Sequence, residues 1–240
     1  MIEMEISHFG ELTYQAAEAM NTLCTNLSFI GGNIRVIMIT SCYQGEGKSF
    51  VSMNLMRSMA QLGMKVVLVD ADLRGSMLQE DYEIKAGANA LFSQRYKGLT
   101  GYLAGQCDMD SIIGKTNISG AELILAGKKV KNSLPLFNTP VMEDLLKKLA
   151  QTHDLVIVDA PPIGTVIDAA KIGEVCDGTL FVVESGCVTA EKLKESTAQI
   201  EKAGCPILGY VINKLDEKKY GEKDKYGYYA YSSGKRRKRR

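Results

Sequence analysis

The run Ser41-Cys42-Tyr43-Gln44-Gly45-Glu46-Gly47-Lys48-Ser49 combines residue types that can together hold a polyphosphate. Gly45 and Gly47 let the backbone turn its N–H groups toward phosphate oxygens with no side chain in the way. Lys48 offers a cation to the β- and γ-phosphates, and the Ser49 hydroxyl offers a ligand to Mg²⁺. Gln44, Gly45, Glu46, Gly47, Lys48, Ser49 and Phe50 are therefore the expected nucleotide contacts. The general phosphate-loop pattern has glycine where Cys42 stands, so this loop is a variant. A plain glycine-rich strand-to-helix turn is the bland alternative, but such a turn rarely also supplies Gly-Lys-Ser in register after an apolar run.

Two acidic motifs follow. Val66-Val67-Leu68-Val69-Asp70-Ala71-Asp72-Leu73-Arg74 closes an apolar run with carboxylates on alternate positions, which puts both on one side at the end of a strand. Val156-Ile157-Val158-Asp159-Ala160-Pro161-Pro162 ends a second run with a third carboxylate. A lone aspartate at a strand end is usually a turn residue or a helix cap. Three of them beside bound phosphates need a compensating cation, and Mg²⁺ fills that role.

A third feature lies far downstream. Tyr220, Tyr226, Tyr228, Tyr229 and Tyr231 are five of the eleven tyrosines in the chain, packed into twelve residues. An even spread would put about half a tyrosine there. Their neighbours are glycine, lysine and acidic residues, with Ala230 the one apolar exception. Such a segment cannot bury its phenols and is expected to be disordered, with its hydroxyls accessible. A site for a phosphoryl donor and a set of hydroxyl acceptors on one chain suggest a kinase that modifies its own tail. Asn213-Lys214-Leu215-Asp216 pulls elsewhere, because it matches the pattern by which GTPases hold guanine. The bland reading is that a strand-end Asn213 lies near whichever base is bound. The Asp159 motif lacks the glycine of a GTPase switch, which leaves GTP the minority choice.

The elements that must position these residues alternate along the chain. Residues 11–29 have apolar positions at helical spacing and read as an N-terminal helix ended by Gly31-Gly32. Strands are expected at 36–40, 66–69, 122–125, 155–158, 179–183 and 207–212, with helices at 48–62, 168–175 and 189–203. A further helix should start at Thr139-Pro140, with threonine as cap and proline at the first helical position. Residues 75–98 are polar and poorly periodic and read as a loop or irregular helix. Short apolar strands alternating with helices argue for a doubly wound, mainly parallel α/β sheet covered on both faces, the architecture of P-loop NTPases. Ligands of such sheets bind at the carboxyl ends of the strands. Residues 1–216 read as one domain and 217–240 as its tail.

Composition narrows the function classes. Lys and Arg number 29 against 28 Asp and Glu, a net charge of +1; without the basic run Lys235 to Arg240 the remainder stands at −5. An acidic body with a basic end does not suit a nucleic-acid-binding fold, whose basic stripe would cross the domain. The six cysteines form no CxxC pair and read as buried, reduced thiols of a cytosolic protein. No apolar run approaches the ~20 residues that span a bilayer. The expectation is a cytoplasmic protein that reaches the inner face of the membrane only through a partner.

These motifs, in this order and with a C-terminal tyrosine cluster, resemble the bacterial tyrosine kinases of capsule and exopolysaccharide systems, from about residue 15 to 231. In that family the loop at 41–49 is the Walker A motif, the stretch 66–74 Walker A′, and 156–162 Walker B. The resemblance implies ATP and Mg²⁺ as cofactors. It also implies a separate membrane-bound activator, of the chain-length-determinant type, whose cytoplasmic end completes the site. A homo-oligomer of the activated enzyme and a cognate tyrosine phosphatase belong to the same picture. The residues themselves suggest the catalytic roles: Lys48 would stabilise the transferring group, Asp70 would orient or deprotonate the phenol, and Arg74 would assist or brace the loop. Ser49 and Asp72 would contact the metal, and Asp159 would hold it through water. The family's Glu-x-x-Arg-x-x-Arg pattern on the N-terminal helix reads Glu18, Asn21 and Cys24 here, without its arginines. The alternatives are an ATP-driven switch of the Min or Par type, which would carry a lysine in place of Tyr43, a GTPase binding a membrane partner, or an inactive binding module.

Overall fold

The computed structural model describes residues 2–30, 34–86, 96–164 and 167–215. The tyrosine cluster, Asp216, the basic terminus and Gly31-Gly32 lie outside the described residues. Among the described residues nine strands form one sheet: β1 Ile2–Ile6, β2 Val36–Ser41, β3 Val66–Asp70, β4 Ile84–Ala86, β5 Gly114–Thr116, β6 Ala121–Ile124, β7 Leu155–Asp159, β8 Gly178–Glu184 and β9 Ile207–Asn213. Their order across the sheet is β4-β1-β5-β6-β3-β7-β2-β8-β9. From β6 to β9 every neighbouring pair is parallel; β5 runs antiparallel to β6, and β4 antiparallel to β1.

The central strands are short β-branched runs with every residue buried, as strands covered on both faces should be. Their side chains alternate between two cores. Ile37 and Ile39, Val66 and Leu68, Leu155 and Ile157 enter the core under α2 (Lys48–Gln61). Val36, Met38, Val67, Val69, Val156 and Val158 enter the other core, under α6 (Val141–Thr152) and α8 (Ala190–Lys202). Alternation then carries Asp70 and Asp159, the terminal residues of β3 and β7, onto the α2 face.

α2 is buried on nearly all sides because α1 (Tyr14–Phe29) lies outside it, its Met20 and Cys24 turned inward one helical turn apart. α6 shows the amphipathic pattern, with Met142, Leu145, Leu146 and Leu149 on one face. Four short α-helices, α3 Leu78–Asp81, α4 Gly98–Leu103, α5 Leu134–Phe137 and α7 Asp168–Gly173, and a 3-10 turn at Met109–Ser111 complete the described set.

Three sequence expectations need correction. Thr139 does not cap α6: its hydroxyl donates to the Leu136 carbonyl at 2.8 Å, and Pro140 takes the cap position without a side-chain bond. After Arg74 the short helix α3 fits the expected irregular helix, but the edge strand β4 falls where a loop or helix is expected. The cysteines are free among the described residues, but only Cys24, Cys42 and Cys205 are fully buried, and Cys187 is exposed.

Candidate active site

The site forms where the loop after β2 meets the ends of β3 and β7. Gly45 and Gly47 adopt φ values of +87° and +90°, which turn the loop into the N-terminus of α2. At Gly47 even a methyl group would collide with the Asn213 side-chain amide, so glycine is required twice over. The loop after β7 is zipped onto this one. Ile163 and Gly164 donate N–H bonds to the Ser41 and Cys42 carbonyls, and a side chain at Gly164 would strike the Cys42 carbonyl.

Glu46, 2% exposed, works as a strut. Its carboxylate accepts from the Tyr43 N–H at 2.7 Å and from the Glu184 N–H at 3.2 Å, tying the loop to the end of β8. The Asn213 amide donates to the Glu46 carbonyl at 2.9 Å, so β9 also holds the loop. Gln44 and Gly45 are open to solvent, and Phe50 is 39% exposed on the outer side of α2.

Lys48 lies in the centre. Its ammonium is 3.3 Å from Asp72, 4.0 Å from Asp159 and 3.5 Å from the Ser49 hydroxyl. Asp159 also accepts from Ser52, one helical turn beyond Lys48, at 3.3 Å. Asp70 and Asp159 are register partners on adjacent parallel strands, so their carboxylates stand side by side. The consequence is electrostatic. Burial and the neighbouring Asp159 charge push the Asp70 carboxyl up to about 7, against opposing help from Ser76 and Lys48. Burial raises Asp159 as well, with Lys48 and Ser49 pulling the other way. Burial lowers the Lys48 ammonium, but Asp159, Asp72 and Asp70 together outweigh it and leave it more firmly protonated than usual.

Three buried carboxylates on one lysine leave room for added positive charge. Among the described residues no three His, Cys, Asp or Glu side chains form a protein-only metal cage. Mg²⁺ with a nucleotide would need one or two carboxylates, with phosphates and water as its other ligands. Ser49, Asp72 and Asp159 are the side chains that fit it.

Arg74 stands apart from the phosphate loop. Its guanidinium forms a bidentate pair with Asp168 at 2.7 and 3.2 Å, and also donates to Ser133 and the Lys131 carbonyl. Sequence reading missed Ser52, Ser76, Ser133 and Asp168. Ser52 was legible as the residue four beyond Lys48 on the same helix face; Asp168, 94 residues from Arg74, carried no signal.

A glycine-rich loop opening a helix at the carboxyl edge of a parallel sheet, with acids at two neighbouring strand ends, defines a P-loop nucleotide-binding domain. The family model of the CobQ/CobB/MinD/ParA nucleotide binding domain matches residues 37–235. The tyrosine-protein kinase CpsD of Streptococcus agalactiae is 34% identical over 212 residues, covering 88% of this chain and 89% of that one. CpsD of Streptococcus pneumoniae is 34% identical over 221 residues, 92% of each chain. The kinase domain of the Escherichia coli tyrosine kinase ETK superposes with a TM-score of 0.75 at 32% identity, covering 84% of this chain and 78% of that one. The chain belongs to the bacterial tyrosine-protein kinases.

Proposed function

We propose that this chain uses ATP and Mg²⁺ to phosphorylate tyrosines, chief among them Tyr220, Tyr226, Tyr228, Tyr229 and Tyr231 of a second copy. The observation that carries this reading is the convergence of Lys48 with Asp70, Asp72 and Asp159 on the α2 face. Backbone N–H groups of residues 44–49 and the N-terminus of α2 favour the phosphates, with Gln44, Phe50 and Asn213 at the margin. Lys48 stabilises charge on the transferring group, and Mg²⁺, when bound, would supply further charge neutralisation. Ser49, Asp72 and Asp159 hold the ion.

Asp70 receives the incoming phenol. Burial makes Asp70 a better proton acceptor than an exposed carboxylate, yet a phenol loses its proton near pH 10. Asp70 therefore takes the proton as transfer proceeds rather than before it. The kinship with CpsD proteins supports a role in capsule or exopolysaccharide synthesis, a membrane-bound activator acting through its cytoplasmic end, and a cognate phosphatase. No described helix is long and apolar enough to cross a membrane. Tyr14 and Phe29 are exposed on α1, which supports assembly through that helix in the active state.

Titrating ATP with and without Mg²⁺ tests the division of roles. Asp72→Ala and Asp159→Ala should lose the Mg²⁺-dependent part of binding, whereas Asp70→Asn should bind normally and lose transfer to tyrosine. Equal binding defects in all three variants would remove the proposed assignment.

A further inference from the structure

We propose that Asp168 is a positioning residue of the transfer site, holding Arg74 so that the Asp72 carboxylate faces Lys48 and the metal; this rests on the kinase reading above. Asp168 is the first residue of α7, one beyond the cap position, which Ile167 holds. Here the helix has no side-chain cap bond, and the carboxylate, 1% exposed, is given wholly to Arg74 and Ser133. A carboxylate withdrawn this far from water persists only when its charge is matched, and the bidentate guanidinium matches it.

The pair joins three segments of the carboxyl rim. Arg74 sits in the middle of the turn after β3, Asp168 follows the loop after β7, and Ser133 ends the segment after β6. Two further bonds lie alongside: Arg74 donates to the Lys131 carbonyl at 3.1 Å, and Val130 donates its N–H to Leu73 at 2.9 Å.

The turn is what orients Asp72. Ser76 N–H closes onto the Asp72 carbonyl at 3.0 Å, and Gly75 N–H donates to one Asp72 carboxylate oxygen at 3.0 Å, leaving the other for Lys48 at 3.3 Å. Rotating the turn about Leu73 would rotate that oxygen away. With three of its nitrogens donating to Asp168, Ser133 and Lys131, Arg74 braces this turn rather than reaching for phosphate.

The test uses the full chain and three readouts: affinity for ATP without metal, the Mg²⁺ midpoint for nucleotide binding, and transfer to tyrosine. Asp168→Asn should raise the Mg²⁺ midpoint at least fivefold and slow transfer about tenfold, while metal-free ATP affinity stays within twofold. Asp168→Glu should restore part of the midpoint. Ser133→Ala retains both charges and serves if Asp168→Asn folds poorly; its midpoint should rise at least twofold. An unchanged midpoint in a folded variant, or a fall in metal-free affinity as large as the fall with metal, overturns the proposal. Wild-type protein that binds Mg²⁺ and ATP but labels no tyrosine would sink the kinase reading instead, and the metal midpoint would still decide the role of Asp168.

Discussion

Lys48 is held by charges on three sides, and that environment fixes what its loss should do. Lys48→Met removes the cation from a loop whose shape is set by backbone and by Glu46, so the fold should survive. Loss of one phosphate cation typically costs several kcal/mol in the transition state, enough to reduce phosphotyrosine formation by a factor of about 10³. A variant labelling itself at the wild-type rate would exclude the loop from catalysis. Asp70 gives a pH signature. Its folded value of about 7 lies above the ordinary carboxylate value of 3.8. Its contribution to stability is thus fully present below the ordinary value and is lost as pH rises through about 7. Asp70→Asn should therefore stabilise the nucleotide-free protein more at pH 8 than at pH 4.5, read as the difference in melting temperature. A difference independent of pH would contradict the buried, coupled carboxylate. With Mg²⁺ and ATP bound, the added positive charge favours the ionised form, and the acid limb of the rate should fall below pH 7.

At the scale of elements, the phosphate loop is supported from β8 and β9 as much as from its own glycines. Glu46→Ala would leave the Tyr43 and Glu184 N–H groups without their acceptor, at ~1–3 kcal/mol each. The expected outcome is a lower melting temperature together with weaker ATP binding; weaker binding at an unchanged melting temperature would make Glu46 a ligand rather than a strut. The central strands and α2 were legible because buried parallel strands are continuous apolar runs and because Gly-Lys-Ser marks a helix start. β1 was missed although Ile2, Met4 and Ile6 alternate with Glu3 and Glu5, the pattern of a strand buried on one face. β4 and β5, three residues each, are held by their neighbours and leave no periodic trace. The same limit applied within the site. Lys48, Asp70, Asp72 and Asp159 each sit in a local motif, whereas Asp168 and Ser133 reach Arg74 only through tertiary packing. Asn213 illustrates a middle case: its strand-end position was readable, but its bond to the Glu46 carbonyl follows from β9 lying beside β8.

At the scale of the whole molecule, the site at the carboxyl ends of β2, β3 and β7 is proposed to phosphorylate the C-terminal tyrosines of another copy. Kinship with tyrosine kinases points to adenine, so ATP should outcompete GTP despite Asn213 and Lys214; GTP binding tenfold tighter in a competition assay would revive the GTPase reading. Each phosphate added to the tail brings about −1.5 to −2 charges. Filling several sites would offset the basic run at 235–240 and loosen any contact it makes with an anionic surface. The most direct measurement mixes two proteins in the presence of ATP and Mg²⁺. One is Lys48→Met with its tail intact; the other is catalytically intact but carries phenylalanine at 220, 226, 228, 229 and 231. Phosphotyrosine on the tail of the Lys48→Met protein is the predicted result. No label there, while the wild type labels itself at every dilution, would contradict transfer between copies.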